Sequence, residues 1–150
     1  MDLRHPLLRA AAFPAVVLAA YLVVRARYGE VAHWPPFNVI THVVGGLAVA
    51  HLAGVALAPV AGALRGRTRT LVQLVGIFAL TATVAVSWEF FECLVARLYG
   101  VRGPSAGGDT LRDIAAGMSG ALAYLATRPW IARWRAGGRA HAVPAVQRRG

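Results

Sequence analysis

The stretch from Leu71 to Leu98 reads LVQLVGIFALTATVAVSWEFFECLVARL. It carries no charge until Glu89 and then places Glu89 and Glu92 in its last third. At a rise of about 1.5 Å per residue it exceeds a hydrocarbon core of about 30 Å, so it predicts a membrane-spanning helix whose last turns reach the interface. Carboxylates near a span are costly to hold there, which makes them functional-site candidates. The next segment, Gly108-Asp109-Thr110-Leu111-Arg112-Asp113, opens another apolar run. Together Trp88–Glu92 and Gly108–Asp113 hold four of the six acidic residues in the chain.

Working outward, the same pattern recurs. Residues 7–24 form an apolar stretch behind a short basic start. Arg25 and Arg27 follow it directly, in place of a small-x-small cleavage site, so a retained first span is expected rather than a signal peptide. Pro14 lies inside it and can kink it. After a loop with Trp34 and the helix-blocking pair Pro35-Pro36, a second span covers 37–58. A basic loop with Arg65, Arg67 and Arg69 leads to the third span, 71–98, and a Gly/Pro/Ser-containing loop to the fourth, 109–127. The expected fold is all-α: a polytopic membrane bundle of four transmembrane helices in one domain, 1–127, with a basic mobile tail, 128–150.

Composition agrees. Apolar residues make up 57% of the 150-residue chain and charged residues 15%, low for a soluble domain. The net charge of +10 comes wholly from Arg, which flanks spans and fills the tail, so orientation and lipid headgroups explain it better than nucleic acid. The N-terminus, second loop and tail carry eleven Arg against five around the first and third loops, which predicts both termini in the cytoplasm. Arg25 and Arg27 oppose that assignment. The one cysteine, Cys93, excludes an intrachain disulfide and Cys-based zinc motifs, and is expected to pack inertly. Trp34, Trp88, Trp130 and Trp134 suit membrane interfaces.

Four alternating spans put the start of the second, the end of the third and the start of the fourth at one membrane face. His42, Glu89, Glu92, Asp109 and Asp113 are therefore expected to converge there. Glu89 and Glu92 are spaced i,i+3 and Asp109 and Asp113 i,i+4, each pair sharing a helix face. Asn38, His42, Gly45, Gly46 and Val49 form one stripe; Thr81, Ala85, Glu89, Glu92 and Ala96 a second; Asp113, Ala116, Gly117, Gly120 and Tyr124 a third. Small residues beneath the polar end let membrane helices approach closely. Such a cluster can hold a divalent metal, act as general acid and base, or pass protons. No HExxH spacing is present. His51, nine residues from His42, faces the opposite way about 13 Å deeper and is read as a packed histidine.

Structural readings stand beside these. Asp109 can cap a helix, and Asp113 can favour its positive end or pair with Arg112 or Arg102. Glu89 and Glu92 can reach the interface and pair with Arg97. His42 can bond to Asn38 or Thr41.

These residues resemble small bacterial membrane proteins of the VanZ-like and YjdF-like type. The likeness rests on Asn38-x-x-x-His42 before Gly45-Gly46, on Trp88-Glu89-Phe90-Phe91-Glu92, and on Gly108-Asp109-Thr110 with Asp113, Gly117 and Gly120-Ala121. It covers about 37–124 and implies a multi-pass bundle of the bacterial inner membrane. The Asp-Gly-x-x-Ala-Arg pattern of CDP-alcohol transferases and the Gly-His of lipid phosphatases are absent. The expected function is a membrane protein binding or acting on an envelope lipid or amphiphile, with membrane lipids as partners and scope for a homo-oligomer or a membrane partner. The alternatives are a small transporter or proton-coupled permease, and a structural or accessory subunit.

Overall fold

A computed structural model describes residues 4–29, 34–99 and 108–140. Every regular element in them is helical: α1 Arg4–Arg27, α2 Pro35–Ala56, a short α3 Ala58–Gly62, α4 Gly66–Tyr99 and α5 Gly108–Ala140. Pro14 sits inside α1, where its missing N–H leaves one carbonyl without its helical partner. Pro35 and Pro36 occupy the first turn of α2, where no donor is needed. Trp34 precedes them in extended backbone. The expected basic loop shrinks, since α3 and the early start of α4 absorb most of it. Gly66 permits that start by adopting a φ of +55°, a region other residues avoid.

Among the described residues, three helices are long and apolar enough to cross a membrane: Pro6–Arg27, Pro35–Ala56 and Gly66–Tyr99. α5 does not join them. Its apolar stretch lies between Asp113 and Arg128 and is rich in Ala and Gly, which dilutes its hydropathy. The fourth expected span is thus a helix of the right place but of weaker apolar character. α5 also runs past Thr127 and Pro129 to Ala140, so the first part of the basic tail is helical. Residues 141–150 lie outside the described residues.

The burial pattern is that of a membrane bundle. Large apolar side chains point outward: Leu8, Val16, Leu22, Val75, Phe90, Leu94 and Leu98 are all exposed. The interior is built from small and polar groups, with Ala48, Ala50, Ala53, Ala61, Ala116 and Ala121 buried beside Thr81, Glu89 and Asp113. Lipid is as apolar as leucine, so close backbone packing rather than water exclusion holds such helices together.

α2 is the central element, with 28% of its span buried against 6% for α1 and 11% for α4. It packs most extensively on α5. Glycine makes that contact. A Cβ on Gly46 would strike the Gly117 carbonyl oxygen, and one on Gly120 would strike the Val43 carbonyl. Gly45 meets nothing within 4 Å, so the two neighbouring glycines play different parts. Below this contact Ile77 packs with Ala50, Ala53 and Ala121 against Leu57, Met118, Tyr124 and Leu125. α1 packs its backbone along α2, and among the described residues no Cα of α1 lies within 8 Å of α4, which it reaches through side chains.

Candidate functional site

The polar residues converge at one end of the bundle because three helices present them at matching depth. His42 lies two turns into α2, and Glu89 lies a similar distance, about 10–15 Å, inside the far end of α4. Asp113 is in the second turn of α5. His42 Nε2 lies 3.7 Å from Asp113 Oδ2 and 3.8 Å from Glu89 Oε1. Asn38, one turn above His42, donates through Nδ2 to Asp113 Oδ2 at 2.7 Å. The hydroxyl of Thr41 turns away and donates to the Phe37 and Asn38 carbonyls. His42 is therefore held among carboxylates rather than by Asn38 or Thr41.

Glu92 is bound from a helix that the sequence-based argument left out. Tyr21 of α1 donates its hydroxyl to Glu92 Oε1 at 2.7 Å. Arg25 lies 3.3 Å from the same oxygen and donates to the Tyr21 hydroxyl at 2.8 Å. Arg97, the expected partner, does not pair with Glu92. The signal for Tyr21 and Arg25 was available: they are spaced i,i+4 on one face of α1. The rule that brings together the start of the second span and the end of the third also brings the end of the first.

Asp109 departs from the group. It sits within the first turn of α5, half-exposed, with Arg112 Nη2 at 3.2 Å from Oδ1. A carboxylate there meets the positive end of the helix. Arg112 also reaches Asp113, with Nε at 3.6 Å from Oδ1. Four of the five expected site residues, His42, Glu89, Glu92 and Asp113, thus form a cluster, and Asp109 lies beside it, paired with Arg112.

The cluster is incompletely paired. Glu89 is 3% exposed, and neither carboxylate oxygen has a hydrogen-bond partner of good geometry; Thr110 is a polar neighbour on α5. Asp113, 4% exposed, has Oδ1 in the same condition. Buried polar groups are nearly always satisfied, and buried carboxylates lacking donors cost several kcal/mol. One ligand atom from each of His42, Glu89 and Glu92 lies within 4.8 Å of the others.

Beneath the cluster lies a partly open cavity of about 250 Å³. Pro14, Val17, Leu18 and Tyr21 of α1 form one wall and Val84, Ala85 and Trp88 of α4 the other, with Gly45, Gly46 and Val49 of α2 as the floor. It exists because α1 and α4 each lean on α2 with their backbones apart, meeting through side chains such as Tyr21, Arg25, Trp88 and Glu92. Trp88 packs edge-on against Tyr21 at 5.9 Å between ring centroids, so it is a wall of the cavity rather than a free interfacial anchor. Trp34 is exposed as an interfacial residue should be. His42 lines both the cavity and the cluster. His51 lies elsewhere, edge-on to Phe13 and Tyr124, and behaves as packing. Cys93 is free and exposed on α4, so it does not fill the interior as expected.

The chain belongs to the family described as Predicted membrane protein (DUF2238), whose model matches residues 4–134. No curated protein and no solved structure matches it.

Proposed function

We propose that this membrane protein binds an envelope amphiphile from the side, seating an apolar chain between α1 and α4 and a polar head against His42, Glu89, Glu92 and Asp113. The observation that carries the reading is the continuity of the cavity with the cluster: His42 and Tyr21 belong to both. A volume near 250 Å³ falls just below the roughly 300–1,000 Å³ that encloses a drug-sized ligand, and suits one slim chain. The walls are apolar, while donors and acceptors gather at one end only, which matches an amphiphile in polarity along its length.

In the same reading α5 is the fourth span, both termini are cytoplasmic and the membrane is a bacterial inner membrane, as for the VanZ-like and YjdF-like proteins the motifs resemble. Arg25 weighed against that orientation in the arginine count. In the folded bundle Arg25 pairs with Glu92. α5 presents Asp113, Gly117 and Gly120 to α2 and so is shielded from lipid along that face.

The test is mass spectrometry of lipids retained by the detergent-purified protein, wild type against Gly45→Leu. A side chain at position 45 enters the cavity without meeting backbone. One amphiphile class enriched in the wild type and lost from the folded variant is expected. Equal profiles in the two proteins would refute the reading.

A further inference from the structure

The polar cluster contains a donor set for which the described residues supply no cation at its centre. Glu89 is buried with neither oxygen in a hydrogen bond of good geometry, although the Thr110 hydroxyl is a neighbour, and Asp113 Oδ1 is buried in the same state beside Arg112. Arg25 is committed to Glu92 and Tyr21, and Arg112 divides itself between Asp109 and Asp113. Among the described residues no guanidinium lies within salt-bridge distance of Glu89. Glu89, Glu92 and His42 therefore gather about a point that favours positive charge, with Asp113 beside His42.

We infer that His42, Glu89, Glu92 and Asp113 form a binding site for a divalent first-row transition ion. The distances fit. A metal at about 2.0–2.2 Å from nitrogen and oxygen ligands keeps those ligands within about 4.4 Å of one another. The His42, Glu89 and Glu92 donors already lie within 4.8 Å, and Asp113 Oδ2 is 3.7 Å from His42 Nε2. Small side-chain rotations close the rest. One nitrogen with carboxylate oxygens and no thiolate suits manganese, iron or zinc rather than copper(I) or an iron–sulfur centre.

The surroundings support the ligands as metal sites require. Asn38 fixes Asp113 from α2, and Tyr21 with Arg25 fixes Glu92 from α1. Such outer partners orient ligands, and losing one weakens metal binding about 10–100-fold. The ligands come from α2, α4 and α5, so one ion would tie three helices together. The ion would share these four residues with the head of the proposed amphiphile, but its binding needs no amphiphile.

The experiment is equilibrium dialysis of detergent-purified, chelator-stripped protein against Mn²⁺ and Zn²⁺, with metal analysis of the retained fraction. The wild type, Cys93→Ser and Gly45→Leu are expected to hold one ion per chain. Glu89→Gln and His42→Ala should lose it or bind at least tenfold more weakly, and Asn38→Ala should bind more weakly than wild type. Thermal melts should rise on metal addition in the wild type alone among wild type, Glu89→Gln and His42→Ala. If these variants do not fold, pulsed electron paramagnetic resonance of Mn²⁺-loaded wild type decides, since one imidazole nitrogen must couple to the ion. A folded wild type that retains no stoichiometric ion, or an ion without that nitrogen, overturns the inference. Loss of metal from Gly45→Leu alone does not bear on the ligands and would instead link the ion to the cavity.

Discussion

Replacing Gly46 by alanine tests whether backbone contact between α2 and α5 sets the geometry of the polar cluster. An added Cβ would overlap the Gly117 carbonyl oxygen and come within 2.7 Å of its carbon and 2.9 Å of its Cα. Ordinary contact begins near 3.4 Å, and the oxygen overlaps more deeply than its carbon, so the two helices must part by more than about 0.7 Å. Gly46 lies one turn below His42, and Gly117 one turn below Asp113. The same separation at that level stretches the 2.7 Å bond from Asn38 to Asp113 to the edge of hydrogen-bonding range. Overpacking of about 1–3 kcal/mol and a lost hydrogen bond of about 0.5–1.5 kcal/mol add to a penalty of about 2–4 kcal/mol. In a chain of this size that corresponds to several degrees of melting temperature. The assay is a tryptophan-fluorescence melt in detergent, with Gly45→Ala as the control because nothing lies near that position. Gly45→Ala should melt with the wild type or slightly above it. A Gly46→Ala protein that melts as high as Gly45→Ala would refute the close-contact argument.

Gly54→Ala should be milder than Gly46→Ala in the same melt. Its new carbon meets the Tyr124 hydroxyl at 2.6 Å, the free end of a side chain that can turn aside. Ile77→Ala should cost about 2–5 kcal/mol by opening a void among Ala50, Ala53 and Ala121, while Leu94→Ala on the exposed face should leave the melt nearly unchanged. Arg25→Gln should destabilise by around 1 kcal/mol, a modest figure because the guanidinium is 33% exposed. A double-mutant cycle of Arg25→Gln with Glu92→Gln should return a favourable coupling; zero coupling would mean the pair contributes nothing.

How far the sequence could reveal the fold and site depended on the kind of signal each residue left. The spans at α1, α2 and α4 were legible because an uninterrupted apolar run and its flanking prolines and arginines act locally. The convergence of His42, Glu89, Glu92 and Asp113 was legible because alternation across a membrane fixes which ends meet. Asp109 shares the α5 face with Asp113 by spacing, and its half-exposed place beside Arg112 was not legible from spacing alone. Tyr21 and Arg25 leave a weaker mark, because arginine after an apolar run reads first as a topology signal. The cavity had no local signature. It arises from α1 and α4 both leaning on α2 with their backbones apart, which depends on three helices at once. Gly45 and Gly46 looked alike in sequence, and only the azimuth of α5 around α2 separates a wall of the cavity from a contact point.

The side-chain pairing of α1 with α4 also has a bearing on how the chain is assembled. A membrane chain is threaded in from its N-terminus, so Arg25 enters before Glu92 exists. Glu89 and Glu92 arrive next and can meet Arg25 and Tyr21 at once. His42 and Asn38 must wait for Asp113 until α5 arrives, 75 residues after Asn38. The cluster is therefore complete only once α5 is in place. A truncation before α5 would leave a three-helix intermediate with its most deeply buried carboxylate facing an open groove, a form that a membrane quality-control protease could distinguish from the finished protein.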